Sequence, residues 1–131
     1  MLGEKEIIIK FVNSEDQRYS TCGDYLETPT HHEFRITKQT SPEKSMLILF
    51  HEMVEYYLTE LKGIPEETIT NFDLCWNSES INIEDEPGNC KSLHGIVNPY
   101  YKEHRFAENI ERQIAHEAGI DWFDYESNLI I

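Results

Sequence analysis

The chain has 131 residues and a formal net charge of −14, with 25 acidic against 11 basic side chains. Such a charge repels nucleic acid and anionic bilayers, so direct contact with either is not expected; it permits a basic partner, a bound cation or imitation of nucleic acid. At 39% hydrophobic and 11% aromatic residues the chain is too apolar to be disordered, and its length suits one domain, residues 1–131, with a core of its own.

Cys22, Cys75 and Cys90 are widely spaced, odd in number and form no C-x-x-C pair. This reads as a reducing compartment with the cysteines as small apolar fillers. The stretch MLGEKEIIIKF carries acids where a signal peptide carries bases, and no run approaches the roughly 20 apolar residues of a membrane span. A soluble protein of the cytoplasm is the expectation.

In chain order, residues 5–12 are β-branched and predict a strand, NSEDQ predicts a turn, and residues 19–27 and 33–38 predict two more strands around a Pro-containing loop at 28–32. The connections are too short for crossovers, so the small N-terminal sheet is expected to be antiparallel. Ser41-Pro42-Glu43 is a helix start, with a hydroxyl cap, proline in the first turn and an acid near the positive end of the dipole. That helix should run to Lys62 and end at Gly63, with Ile64 supplying the apolar contact of a Schellman cap. Pro65-Glu66-Glu67 starts a short second helix that reaches Phe72 or Cys75. Residues 77–97 read as a long polar loop, a length that points to a functional or disordered segment. Asn98-Pro99 opens a third helix that should end at Gly119, and the tail from Asp121 to Ile131 reads as a short strand or an extended segment. The fold class that follows is α+β: a small N-terminal antiparallel sheet packed against two long helices, themselves antiparallel, and one short helix.

The stretch LILFHEMVEYYL, residues 47–58, poses the functional question. At about 100° per residue, Leu47, His51, Val54, Glu55 and Leu58 share one helix face, so His51 and Glu55 lie within the apolar stripe. An unpaired charge buried there costs several kcal/mol, which a metal, a shared proton or a hydrogen-bond network must offset. The third helix repeats the spacing: His104, Ala107, Glu108, Glu111 and Ala115 share a face, and His104 and Glu108 stand four apart like His51 and Glu55. If the two helices pack side by side, two imidazoles and three carboxylates converge.

Two histidines and a glutamate form a common catalytic zinc set with one position open for water. The candidate metal ligands are therefore His51, Glu55 and His104, with Glu108 and Glu111 as further carboxylates. Glu52 is the candidate catalytic general base, placed directly after His51 as in H-E-x-x-H. Zinc is the divalent metal expected; the carboxylate-rich set also suits iron or manganese, but E-x-x-H, the usual di-iron spacing, is absent from the first helix, which favours one ion. H-E-x-x-E by itself is a weak signal, and a buried polar network or a solvent-facing helix side are the competing readings. Asp73 reads as a carboxylate behind a ligand imidazole or as a helix terminator. Asp85 and Glu86 read as a lid or a fourth ligand, Cys90 and His94 as an incidental pair, and His31 and His32 as exposed loop residues. Tyr56, Tyr57, Tyr100 and Tyr101 read as packing residues; one of them could serve an oxyanion, and nothing selects which. No glycine-rich phosphate loop, serine or cysteine nucleophile motif or basic stripe is present.

GDY at 23–25, HEMVEYYL at 51–58 with the following GI, FD at 72–73, EPG at 86–88 and PYYKEHRFAENIER at 99–112 carry a resemblance. Together they resemble a group of short proteins found largely in bacteriophage and prophage genomes. The resemblance implies provenance, a phage accessory protein, rather than a chemistry. A strand followed by an H-E-x-x helix is also loosely similar to the zincin metallopeptidases. Their second histidine is Glu55 here and their downstream glutamate would be His104, so the ligand types are kept and their positions exchanged. Three functions remain in view: a metal-dependent hydrolase, an acidic inhibitor of a host protein that imitates nucleic acid through acids such as Glu15, Asp16, Glu79, Glu84, Asp85 and Glu86, and a structural module with a buried polar cluster.

Overall fold

The computed structural model of the protein describes residues 3–78, 89–90 and 96–131, the side chains of 75–78, 89–90 and 96–97 excepted. Three strands come first: β1 (Glu6–Val12), β2 (Gly23–Glu27) and β3 (His31–Thr37), with a 3-10 turn at Ser14–Asp16. Then follow α1 (Pro42–Leu61), α2 (Glu66–Ser78), the two-residue strands β4 (Asn89–Cys90) and β5 (Ile96–Val97), α3 (Tyr101–Glu117) and α4 (Trp122–Ser127). This is the α+β arrangement expected.

The sheet order is β1-β3-β2. β2 and β3 form an antiparallel hairpin, Gly23 opposite Ile36 through Glu27 opposite His32. β1 and β3 are parallel instead, Glu6 beside His31 through Val12 beside Thr37, which corrects the expectation of an all-antiparallel sheet. The connection at 13–22 carries the chain past the central place to the far edge, so β2 runs back and β3 returns in the direction of β1. Two reversals make the first and third strands parallel without a helical crossover. The rule for short connections governs only strands that are neighbours both in sequence and in the sheet.

β3 begins two residues earlier than expected. Its alternation therefore turns His32 inward with Phe34 and Ile36, and His32 is buried rather than exposed in a loop. One His32 nitrogen pairs with the Tyr56 hydroxyl and the other with the Gly3 carbonyl at 2.9 Å. Tyr56 of α1 meets Tyr25, His32 and Phe34 edge-on at 5.2, 5.3 and 5.4 Å between ring centres, so one aromatic seat fixes α1 on the sheet. Ile36, Leu47 and Ile48 are fully buried around it, each contributing roughly 1.5–3 kcal/mol by leaving water.

The helix ends follow the sequence. Ser41 Oγ accepts the Lys44 N–H at 3.4 Å and Pro42 is the first helical residue. At the other end Gly63 takes φ +70°, the Ile64 N–H reaches the Thr59 carbonyl at 2.9 Å and the Gly63 N–H reaches Glu60 at 3.1 Å, which is the Schellman pair. α3 closes the same way, with Gly119 at φ +72° and Ile120 donating to Ala115 at 2.9 Å. The tail is a helix, not a strand: Asp121 Oδ1 accepts the Asp124 N–H at 2.8 Å and caps α4, which seats the fully buried Tyr125. α2 runs on to Ser78, and β4 pairs antiparallel with β5 within the expected loop. The rest of that loop, including Glu79, Glu84, Asp85, Glu86 and His94, lies outside the described residues. Among the described residues no helix is long and apolar enough to cross a membrane.

Candidate metal centre

α1 and α3 pack antiparallel: His51 stands opposite Glu111, Glu55 opposite His104 and Lys62 opposite Glu103. The apolar stripes read from the sequence are the faces in contact. They bring three ligand atoms together from two helices. His51 Nε2 lies 3.1 Å from Glu55 Oε2 and 3.2 Å from His104 Nδ1, and His104 Nδ1 lies 2.9 Å from Glu55 Oε2. This group of His51, Glu55 and His104 could hold a metal ion. Zinc bonds of about 2.0–2.1 Å in a tetrahedron separate ligand atoms by about 3.3 Å, so the observed triangle needs to expand by only a few tenths of an ångström. His51 and Glu55 are buried, while the His104 side chain is 42% exposed, leaving one side of the triangle open to the adjoining cavity.

Glu111 and Glu108 do not join the triangle. Glu111 Oε1 meets His51 Nδ1 at 2.8 Å, on the far side of the ring, and its Oε2 accepts the Tyr125 hydroxyl. Once Nε2 gives up its proton, a ring whose Nδ1–H is donated to a carboxylate would present an Nε2 lone pair to the triangle, as ligand histidines commonly do. Glu111 therefore stands behind the His51 ring and outside the triangle. Tyr25 Oη donates to Glu55 Oε1 at 2.9 Å, which leaves Oε2 toward the histidines. Glu108, one turn beyond His104, is half-buried on the cavity wall.

Glu52 turns from the apolar stripe toward β2. It is 8% exposed, lines the cavity and has no hydrogen-bond partner among the described residues. Its space comes from Gly23: a Cβ there would stand 2.6 Å from Glu52 Cγ and Oε1 and 2.7 Å from Cδ. Any larger residue at 23 would evict this carboxylate.

The cavity, about 410 Å³, runs from the triangle between α1, β2 and α2, and its wall includes Ile48, Ile69, Phe72, Trp122 and four tyrosines. Asp24 is buried there in a two-bond pair with Arg18, Nε to Oδ2 at 2.7 Å and Nη2 to Oδ1 at 2.9 Å. Asp73 accepts from Tyr19 at 3.0 Å and from Tyr100, whose ring lies edge-on to His104 at 6.2 Å. Asp73 thus reaches the centre through a tyrosine. Cys22 lines the cavity as a free thiol; burial and then the Glu52 charge push its pKa up, which keeps it protonated and agrees with a filler role.

The electrostatics divide the carboxylates. Burial pulls the His51 pKa down, but hydrogen bonds to Glu111 and Glu55 outweigh it and raise the group to about 11. Burial pushes Glu55 up, and the bonds from His104 and His51 outweigh that and hold it at about 2. Burial first and then the Glu55 charge raise Glu52 well above the ordinary carboxylate range, against the lowering pull of His51. Asp73 rises to about 7, chiefly by burial, against the opposing Tyr100 bond. One carboxylate is thus held ionised in the triangle while the neighbouring Glu52 is poised to carry a proton.

The sequence alone did not single out Tyr25, Tyr125 or Arg18. The one available signal was Gly23 inside a strand, since such a glycine often marks a close approach. Comparison with family models, with curated proteins and with solved structures gives no match, and the reading of the centre rests on its own geometry.

Proposed function

We propose that the protein is a metal-dependent hydrolase that holds one divalent ion, zinc, on His51, Glu55 and His104 and uses Glu52 as general base. The observation that carries this reading is the triangle of ligand atoms, 2.9–3.2 Å on a side, next to a buried glutamate without a hydrogen-bond partner among the described residues. Zinc held by these three residues would supply Lewis-acid activation of water. Glu52 would be the group beside it that takes up a proton and gives it back. Burial and the Glu55 charge raise its pKa, the direction a carboxyl group that takes up a proton requires. Glu111 and Tyr125 keep the His51 ring in the productive tautomer, Tyr25 fixes Glu55, and the aromatic wall of the cavity seats the apolar part of a substrate. The motifs that resemble phage proteins support a reading in which this activity acts in the cytoplasm of an infected bacterium.

The competing reading, a buried polar cluster without an ion, draws on the closure of the hydrogen bonds around His51, every one of which has a protein partner. The two readings separate on Glu52, which a purely structural cluster does not need. The zinc-loaded protein should cleave members of a quenched fluorescent peptide library, and Glu52→Gln should lower turnover by about 10²–10⁴-fold with zinc still bound. Equal activity in Glu52→Gln, or none in the parent chain against peptides and simple esters, removes the hydrolase reading.

A further inference from the structure

The chain treats the two edges of its sheet differently. On β2 the outward backbone groups are covered: the Glu27 N–H donates to Glu66 Oε2 at 3.1 Å, and Thr21 Oγ1 accepts the Gly23 N–H at 3.2 Å and donates to the Gly23 carbonyl at 2.7 Å. Tyr25 between them is buried. The β1 edge has no such cover among the described residues. The Lys38 N–H donates to the Val12 carbonyl at 2.8 Å, so the Val12 backbone faces β3. By alternation Lys10, Ile8 and Glu6 face β3 as well, and the N–H and C=O groups of Ile7, Ile9 and Phe11 face outward. These same three residues are 55%, 40% and 40% exposed. The strand has no proline, and its seven-residue register with β3 is unbroken. Unprotected edges of this kind are templates for another strand.

We propose that β1 pairs antiparallel with β1 of a second copy about a twofold axis at Ile8, joining two three-stranded sheets into one of six strands. The strand is its own complement in that register. Ile7 falls opposite Ile9 in two hydrogen-bonded pairs that use outward-facing groups, and Ile8 meets Ile8 in a pair that needs none. Glu6 falls opposite Lys10 on both sides of the axis, so opposite charges meet across the strands. A parallel pairing in register would set Lys10 beside Lys10. A strand edge is smaller than the roughly 800 Å² per partner of a stable interface, so the dimer is a weak one. Two bodies each carrying −14 also repel, and added salt strengthens the association by screening them.

Sedimentation of the full chain tests this. The expected result is a concentration-dependent species of twice the 15.5 kDa chain mass, its share rising with sodium chloride. Ile9→Pro deletes an outward N–H and leaves the β1–β3 bonds in place, so it should stay monomeric with an unchanged circular dichroism spectrum. The register has its own readout. Ile8→Cys should give an oxidised covalent dimer well above the level of the parent chain, because Cα atoms of a non-hydrogen-bonded pair lie about 4.5 Å apart, within disulfide range. Ile9→Cys should not. A monomer at every concentration and salt overturns the proposal and leaves the edge for a strand of another protein. A dimer that survives Ile9→Pro, or cross-linking at 9 in preference to 8, overturns it as well.

Discussion

Replacing His51 with alanine in the metal-free protein should be among the most damaging changes available to the chain. The imidazole bonds Glu111 at 2.8 Å and Glu55 at 3.1 Å, and both carboxylates are buried. Removing one partner of a buried ion pair costs about 3–5 kcal/mol, because the remaining charge stays out of water. Two carboxylates are affected here, but the losses do not double. Glu111 keeps the Tyr125 hydroxyl, and Glu55 keeps Tyr25 and His104. A single penalty of about 3–5 kcal/mol is therefore expected, a third or more of a typical domain's stability. Urea unfolding at pH 7 with chelator present reads it directly, as a fall in midpoint with an unchanged slope. A loss under about 1 kcal/mol, the worth of an exposed pair, would refute the buried imidazolium between two carboxylates.

The pH profile of the metal-free protein follows from the same groups. His51 titrates at about 11 when folded, above its ordinary value of 6.5, so its stabilisation is complete below about 6.5 and lost as pH rises toward 11. Glu55 titrates at about 2, below its ordinary 4.5, so its share is present above about 4.5 and lost as pH falls toward 2. Asp73 is raised from 3.8 to about 7 and costs stability as pH climbs through that interval. Thermal unfolding without metal should be most resistant in mild acid and decline steadily into the alkaline range; a maximum at pH 8 or above would contradict this. Tyr125→Phe removes one bond to a buried carboxylate, about 1.5–3 kcal/mol, and should weaken zinc affinity about 10–100-fold by loosening the support of His51. Unfolding and zinc titration of that variant check the two effects separately.

The fold was legible in the sequence where local chemistry is decisive. Ser41-Pro42, Gly63-Ile64 and Gly119-Ile120 fixed helix ends because caps act within a few residues, and the same logic was available at Asp121, whose side chain caps α4. The direction of β1 was not legible, since it depends on which strand takes the centre of the sheet, a non-local choice. His32 was misplaced for a smaller reason: a two-residue shift of the β3 start moves a side chain from solvent to core. At the centre, helical periodicity put His51, Glu55 and His104 in reach of one another, but it ranks Glu111 equally with them. Only the antiparallel offset of α1 and α3 decides which nitrogen of His51 faces which carboxylate. The partners from outside the two helices, Tyr25 and Tyr125, depend on tertiary contacts across 30 and 14 residues and left no periodic trace.

Whether the triangle of His51, Glu55 and His104 binds a metal ion is read by calorimetric titration of chelator-stripped protein with zinc. One zinc per chain is expected, lost in His51→Ala and in His104→Ala. Because His51 is protonated in the metal-free state at pH 7, binding should release protons, and affinity should rise by about tenfold per pH unit for each proton released. No stoichiometric uptake, or equal uptake by the parent chain and both alanine variants, would contradict metal binding there.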